Sequence, residues 1–219
     1  MGGTKILGYN KNKAGDYMCG RFLLNTSIED LKEYYNIVKE VQEKSQQNYN
    51  YKKGEVYPSD ISIVLHNKEL KALSWGFPAR DKLMINGRCE TIFERPMFSE
   101  AMEQSRCLVP VNSFYEWKEG SKHSISIQGI QIFSLGGIVK KCILKDGTLE
   151  DRFLILTTEA NEEMKSLHHR MPLIVEKALE EEFLNPWTKK QRIKEMLEPY
   201  SKNKLFIESL SGVQQLSLF

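Results

Sequence analysis

The chain has 219 residues, 41% hydrophobic and 27% charged, and its 31 Lys+Arg against 29 Asp+Glu leave a net charge of +2. That mixture excludes a disordered chain and a uniformly basic polyanion binder, so any nucleic-acid site must be a local basic groove. No run approaches the roughly eighteen apolar residues of a membrane span, and the first residues lack the apolar core of a secretory signal, so a cytoplasmic protein is the expectation.

Residues 1–17 read as a leader and 18–219 as one domain, large enough to bury a core without staples. Thr26 with Glu29 makes a capping-box pattern, and the apolar spacing that follows predicts a helix over Ser27 to Val38. The polar stretch 39–55 reads as a surface loop. Ile61, Ile63 and Leu65 alternate before a turn at NKEL and a return through KALSWGF, a β-hairpin. RCLVPVNSFYEWK, HSISI, IQIFSLGGIV, KKCILK with its Asp146-Gly147 turn, and RFLILTT read as further strands. Short helices are expected over Met97 to Gln104, Asn161 to Leu167, Lys177 to Leu184 and Thr188 to Leu197, and KLFIESL reads as a closing strand. Strands crowd the middle, helices decorate the ends, and no βαβ alternation occurs. The expected class is α+β, a curved, barrel-like antiparallel sheet core with peripheral helices.

Cys19, Cys89, Cys107 and Cys142 are too widely spaced for a C-x-x-C pair, and the four histidines are scattered, so no metal or other cofactor is expected. Cys107 and Cys142 read as small buried apolar residues. Three polar groups interrupt the apolar pattern. In SFYEWK, strand alternation sets Tyr115 and Trp117 on one face and Phe114 and Glu116 on the other. Glu116 is then either a glutamate on a wet face or a desolvated carboxyl with a raised pKa, as a general acid or base requires. In LHHRMP, His168, His169 and Arg170 lie on a loop entering a strand, either a plain polar loop or a functional one. In NGRCET, Asn86 and Arg88 project to one side of an extended segment, a combination suited to an anionic or carbonyl ligand. Trp75 and Phe77 just upstream are either stacking residues for bases or core aromatics.

Together with MCGRF at Met18 to Phe22, these pieces occur in a specific order: MCGRF, WGFP, NGRCET, RCLVPVNSFYEW and HHRMP. In that order the chain resembles the SOS-response-associated peptidase (SRAP) family of abasic-site-processing proteins. The resemblance implies a SRAP fold and a covalent DNA–protein crosslink, a thiazolidine formed by an N-terminal cysteine on abasic single-stranded DNA. It also implies thiol autopeptidase and AP-lyase activities and a place in the DNA damage response. By the family's motifs Cys19 is the nucleophile, Asn86 positions its terminus, and Glu116 and His168 complete the catalytic set. Arg21 and Arg88 match arginines that hold phosphates, Trp75 and Phe77 lie where the family meets DNA bases, and Cys89 stands in a small-residue position and is expected to be inert. The expected partner is single-stranded DNA containing abasic sites, bound by a monomer.

The chemistry explains the residue types. An open-chain abasic site presents an aldehyde. An N-terminal cysteine offers an amine that forms an imine and a thiol that closes it to a five-membered ring. In this sequence, however, the nitrogen of Cys19 is an amide while residues 1–18 remain attached, and an amide is not a nucleophile. Three readings of the leader are open: Met18 is the true start, the site cleaves the leader itself, or the leader is an added artefact. A thiol autopeptidase and a noncovalent single-strand binder remain the competing functions.

Overall fold

The computed structural model describes residues 19–37, 49–80, 82–202 and 204–210. Its first elements are β1 (Phe22–Leu24), α1 (Ile28–Tyr34), β2 (Gly54–Val56), β3 (Ile61–His66) and β4 (Glu69–Trp75). Then come β5 (Phe77–Ala79), β6 (Lys82–Met84), β7 (Asn86–Arg88), α2 (Pro96–Gln104), β8 (Arg106–Val111) and β9 (Ser113–Lys118). They are followed by β10 (Ser121–Ile127), β11 (Phe133–Ile143), β12 (Leu149–Glu159), β13 (Arg170–Pro172), β14 (Ile174–Val175), α3 (Glu180–Leu184), α4 (Lys190–Met196) and β15 (Leu205–Ser209).

Two sheets carry the architecture. In the larger, the ladder β12–β4–β3–β8–β11 closes on itself because β11 also pairs with β12, which makes a five-stranded barrel. Closure leaves no free edge in that ring. ISIVLH, RCLVPV and RFLILTT, all read as strands, supply β3, β8 and β12 of this ring, and Ile63, Leu108, Val109, Leu154 and Leu156 are buried. The second sheet has the order β15-β10-β9-β1-β2, all antiparallel, and packs the Phe22 and Phe114 face inward. One step of the ring is parallel, β12 against β4, and β12 continues in parallel pairing with β7.

Several local expectations are corrected. The cap of α1 is Ser27, whose side chain accepts the N–H of Asp30 at 3.1 Å, while Thr26 is engaged with Asn112. The helix ends at Tyr34, and Val38 lies outside the described residues. Residues 161–167 form successive turns, not a helix, because Asn161 uses both its carbonyl and its side-chain oxygen to accept the N–H of Met164. The polar stretch 39–55 ends in β2, and its part from 39 to 48, like the leader and Met18, lies outside the described residues.

Candidate active site

Alternation along β9 sends Phe114 and Glu116 toward the core and Tyr115 and Trp117 to the opposite face. Glu116 is 3% exposed. Its Oε1 accepts the backbone N–H of Cys19 at 2.7 Å. Burial raises its carboxyl to about 8, against the N–H groups of Cys19 and Trp117, which pull the other way. A carboxyl in that range exchanges its proton near neutral pH. Cys19 itself is fully buried and holds φ at 42°, a region that is uncommon for a side-chain-bearing residue and costs on the order of 1–3 kcal/mol. Burial first, and the neighbouring Glu116 second, push its thiol well above the ordinary cysteine value. The Cys19 thiol is thus protonated at neutral pH.

A second group of residues gathers at the C-terminal end of β12. On one side β7 sets Asn86 opposite Ile155 and Arg88 opposite Thr157. On the other, β13 sets Arg170 opposite Glu159. Gly87 permits the close approach of β7, since a Cβ there would stand 2.7 Å from Cδ1 of Ile92. Asn86 is half-buried, and its Nδ2 has no hydrogen-bond partner among the described residues. A buried amide donor left open in this way is poised for a ligand. Arg88 is exposed. His168 is half-buried, its Nδ1 3.1 Å from the N–H and 3.2 Å from the carbonyl oxygen of Arg170. Desolvation lowers its pKa below 6.5 against the hydrogen bond to the Arg170 backbone, which pulls the other way, and the charges of His169 and Arg170 lower it further, so the imidazole is neutral at pH 7.

Trp75 and Phe77 are corrected from base-contacting residues to core aromatics, at 0% and 2% exposure. Gly76 between them has φ at +104° and donates its N–H to the carbonyl of Phe153, which folds both side chains inward. Trp75 packs against Phe22 at 5.1 Å and stacks on Phe153 at 6.2 Å. Its Nε1 donates to the carbonyl of Ile85 at 3.0 Å. The indole therefore ties the strand after Cys19 to the residue before Asn86. Arg21 lies on the outer face of the second sheet, its guanidinium 4.3 Å from the Tyr57 ring and 4.6 Å from the Trp117 ring, with Glu55 at 3.7 Å.

Cys19 and Glu116 are therefore in direct contact, while Asn86, Arg88 and His168 share the end of β12. Two features escaped the sequence. One is the aromatic sandwich around Arg21, for which the Tyr-x-Trp alternation in β9 was half the signal. The other is the bidentate pair of Arg170 with Glu90, at 2.5 and 2.9 Å, in which Arg170 also donates to the carbonyl of Thr157 at 2.7 Å. Glu90 stands two residues after Arg88 in the motif, but nothing local names its partner.

The profile of the family described as SOS response associated peptidase (SRAP) matches residues 18–213. The chain is 32% identical over 206 residues to the abasic site processing protein YoqW of Bacillus subtilis, covering 84% of this chain and 88% of that one. It is also 32% identical over 206 residues to the abasic site processing protein YoaM of the same organism, covering 84% and 86%. A solved protein from Bacteroides thetaiotaomicron superposes with a TM-score of 0.75 at 25% identity, covering 89% of this chain and 93% of that one.

Proposed function

Because the chain belongs to the SOS response associated peptidase family, we propose that it captures abasic sites in single-stranded DNA as a covalent thiazolidine on Cys19. The observation that carries this reading is the contact between the nitrogen of Cys19 and the raised carboxyl of Glu116. Once residues 1–18 are gone, that nitrogen is an amine with an ordinary pKa of about 8, close to the range of Glu116. Glu116 as carboxylate takes the amine's proton, and the free amine attacks the aldehyde carbon of the open-chain sugar. Glu116 as carboxylic acid returns a proton to the resulting hydroxyl, which leaves as water. The protonated imine is then attacked by Sγ of Cys19, whose own proton passes to Glu116, and the ring closes. Asn86 holds the terminus through its open amide, neutral His168 moves a proton as the sugar ring opens, and Arg88 and Arg21 hold flanking phosphates.

The state of the thiol favours this order of events over a peptidase. A cysteine hydrolase attacks with a thiolate lowered in pKa by a basic partner, whereas the partner here is a carboxyl and the thiol is raised. The test is denaturing-gel crosslinking to an abasic single strand by the chain starting at Cys19 and by the full 219-residue chain. The shortened chain should crosslink and the uncleaved one should not. Equal crosslinking by both would overturn the reading.

A further inference from the structure

The outer face of the second sheet carries more than the Arg21 sandwich. Glu55 on β2 lies opposite Leu23, and Lys122 on β10 lies opposite Trp117. The order β10-β9-β1-β2 sets two strands between them, about 14 Å of sheet. The two side chains nevertheless meet, with Nζ of Lys122 donating to Oε1 of Glu55. On the way the ammonium passes over the Tyr115 ring, 3.9 Å from its centre. Oε2 of Glu55 accepts the hydroxyl of Tyr57 at 3.1 Å and stands 3.7 Å from the Arg21 guanidinium. One carboxylate thus engages two cations and a phenol. Desolvation raises its pKa, but the hydrogen bonds and charges of Lys122, Tyr57 and Arg21 outweigh that and hold it below the ordinary carboxylate value. Glu55 is therefore ionised at neutral pH.

A guanidinium, an ammonium and a hydroxyl converging on one anion are the donors that a phosphodiester oxygen takes. Arg21 is confined between the Tyr57 and Trp117 rings, so an anion that reaches it arrives where Glu55 stands. Arg21, Glu55 and Lys122 are all half-buried, and ion pairs of that exposure add little to stability. We propose that Glu55 occupies a phosphate site in the free protein, and that a backbone phosphate of bound single-stranded DNA takes its place between Arg21 and Lys122. Lys122 is then a further phosphate-holding residue beside Arg21 and Arg88. The inference rests on the strand binding proposed above. A carboxylate and a phosphate repel each other at one site, so the ion pair of Glu55 with Lys122 opens as the strand arrives. Glu55 is a brake on strand binding that acts whatever the base sequence.

The test is fluorescence anisotropy of the full 219-residue chain with a labelled single strand that has no abasic site, read across a salt series. Glu55→Gln keeps the size of the side chain and an acceptor for the Tyr57 hydroxyl. It should tighten binding by roughly threefold to tenfold at low salt, and by less as salt rises. Lys122→Ala should weaken binding and reduce the slope of log affinity against log salt by about 0.7, whereas Lys122→Arg should keep the parent's slope. A Glu55→Gln protein that binds no more tightly than the parent, or a Lys122→Ala slope equal to the parent's, would overturn the proposal. The cluster would then be only a clasp between β2 and β10. Either result leaves the crosslinking reading standing, because the strand carries no lesion. Absence of strand binding from the parent and every variant would overturn both.

Discussion

Replacing Glu116 by Gln keeps the size of the side chain and an oxygen to accept the N–H of Cys19, but removes the ionisable group. A carboxyl whose ordinary value is 4.5 and which folding raises to about 8 binds its proton more tightly in the folded state. The folded protein is therefore free of any penalty below pH 4.5 and loses stability as the pH rises, until the loss levels off above about 8. With ~1.4 kcal/mol per pH unit, the penalty is about 1 kcal/mol at pH 5, about 3 kcal/mol at pH 7 and between about 4 and 5 kcal/mol at pH 9. Glu116→Gln does not carry it. Urea unfolding of both proteins, with the leader in place, from pH 5 to 9 should show the variant gaining on the parent by those amounts. In single-turnover crosslinking by the chain starting at Cys19, the same substitution should slow adduct formation by roughly a hundredfold, with affinity for the strand little changed. Stability curves that run parallel across the whole pH range would refute the raised carboxyl and the proton-transfer role built on it.

Trp75→Ala removes a fully buried indole between Phe22 and Phe153 and should cost about 3–5 kcal/mol in urea unfolding; a variant of normal stability that fails only in DNA binding would restore the base-stacking role. Arg88→Ala should weaken binding to single strands of any sequence and reduce the slope of log affinity against log salt by about 0.7, the share of one single-strand phosphate contact; an unchanged slope would argue against that contact. His168→Ala should slow crosslinking by roughly a hundredfold and abolish an acid limb that lies below pH 6.5 in the parent, whereas the exposed His169→Ala should do little; the reverse pattern would move the role to His169.

The barrel was legible where apolar residues recurred along a strand, as in Ile61–His66 and the run of β12 from Phe153 to Leu156. The three-residue strand β6 was not, β5 was read only at Phe77 and β7 only as an extended segment without a partner, because such short segments carry no period of their own and are held by their neighbours. Pairing over long separations was equally silent. Cys19 and Glu116 are 97 residues apart and Arg170 and Glu90 are 80 apart, and only the fold brings them together. Strand alternation put Glu116 on the same side of β9 as Phe114, and the structure turns that side to the core. The same kind of reasoning left Trp75 and Phe77 undecided, because an aromatic in a strand serves a core or a base equally well. The positive φ of Gly76 and the carbonyl of Ile85 decided it.

The claim at the centre of this account is that the nitrogen and the sulfur of Cys19 both end in the adduct. The direct measurement is intact and fragment mass spectrometry of the heat-resistant product that the chain starting at Cys19 forms with an abasic single strand, followed by alkylation of its free thiols. The account predicts a mass equal to protein plus DNA less one water, the modification on Cys19, and three alkylatable thiols, from Cys89, Cys107 and Cys142, in the denatured adduct. A stable adduct on any other residue, or one in which the Cys19 thiol still alkylates, would contradict it.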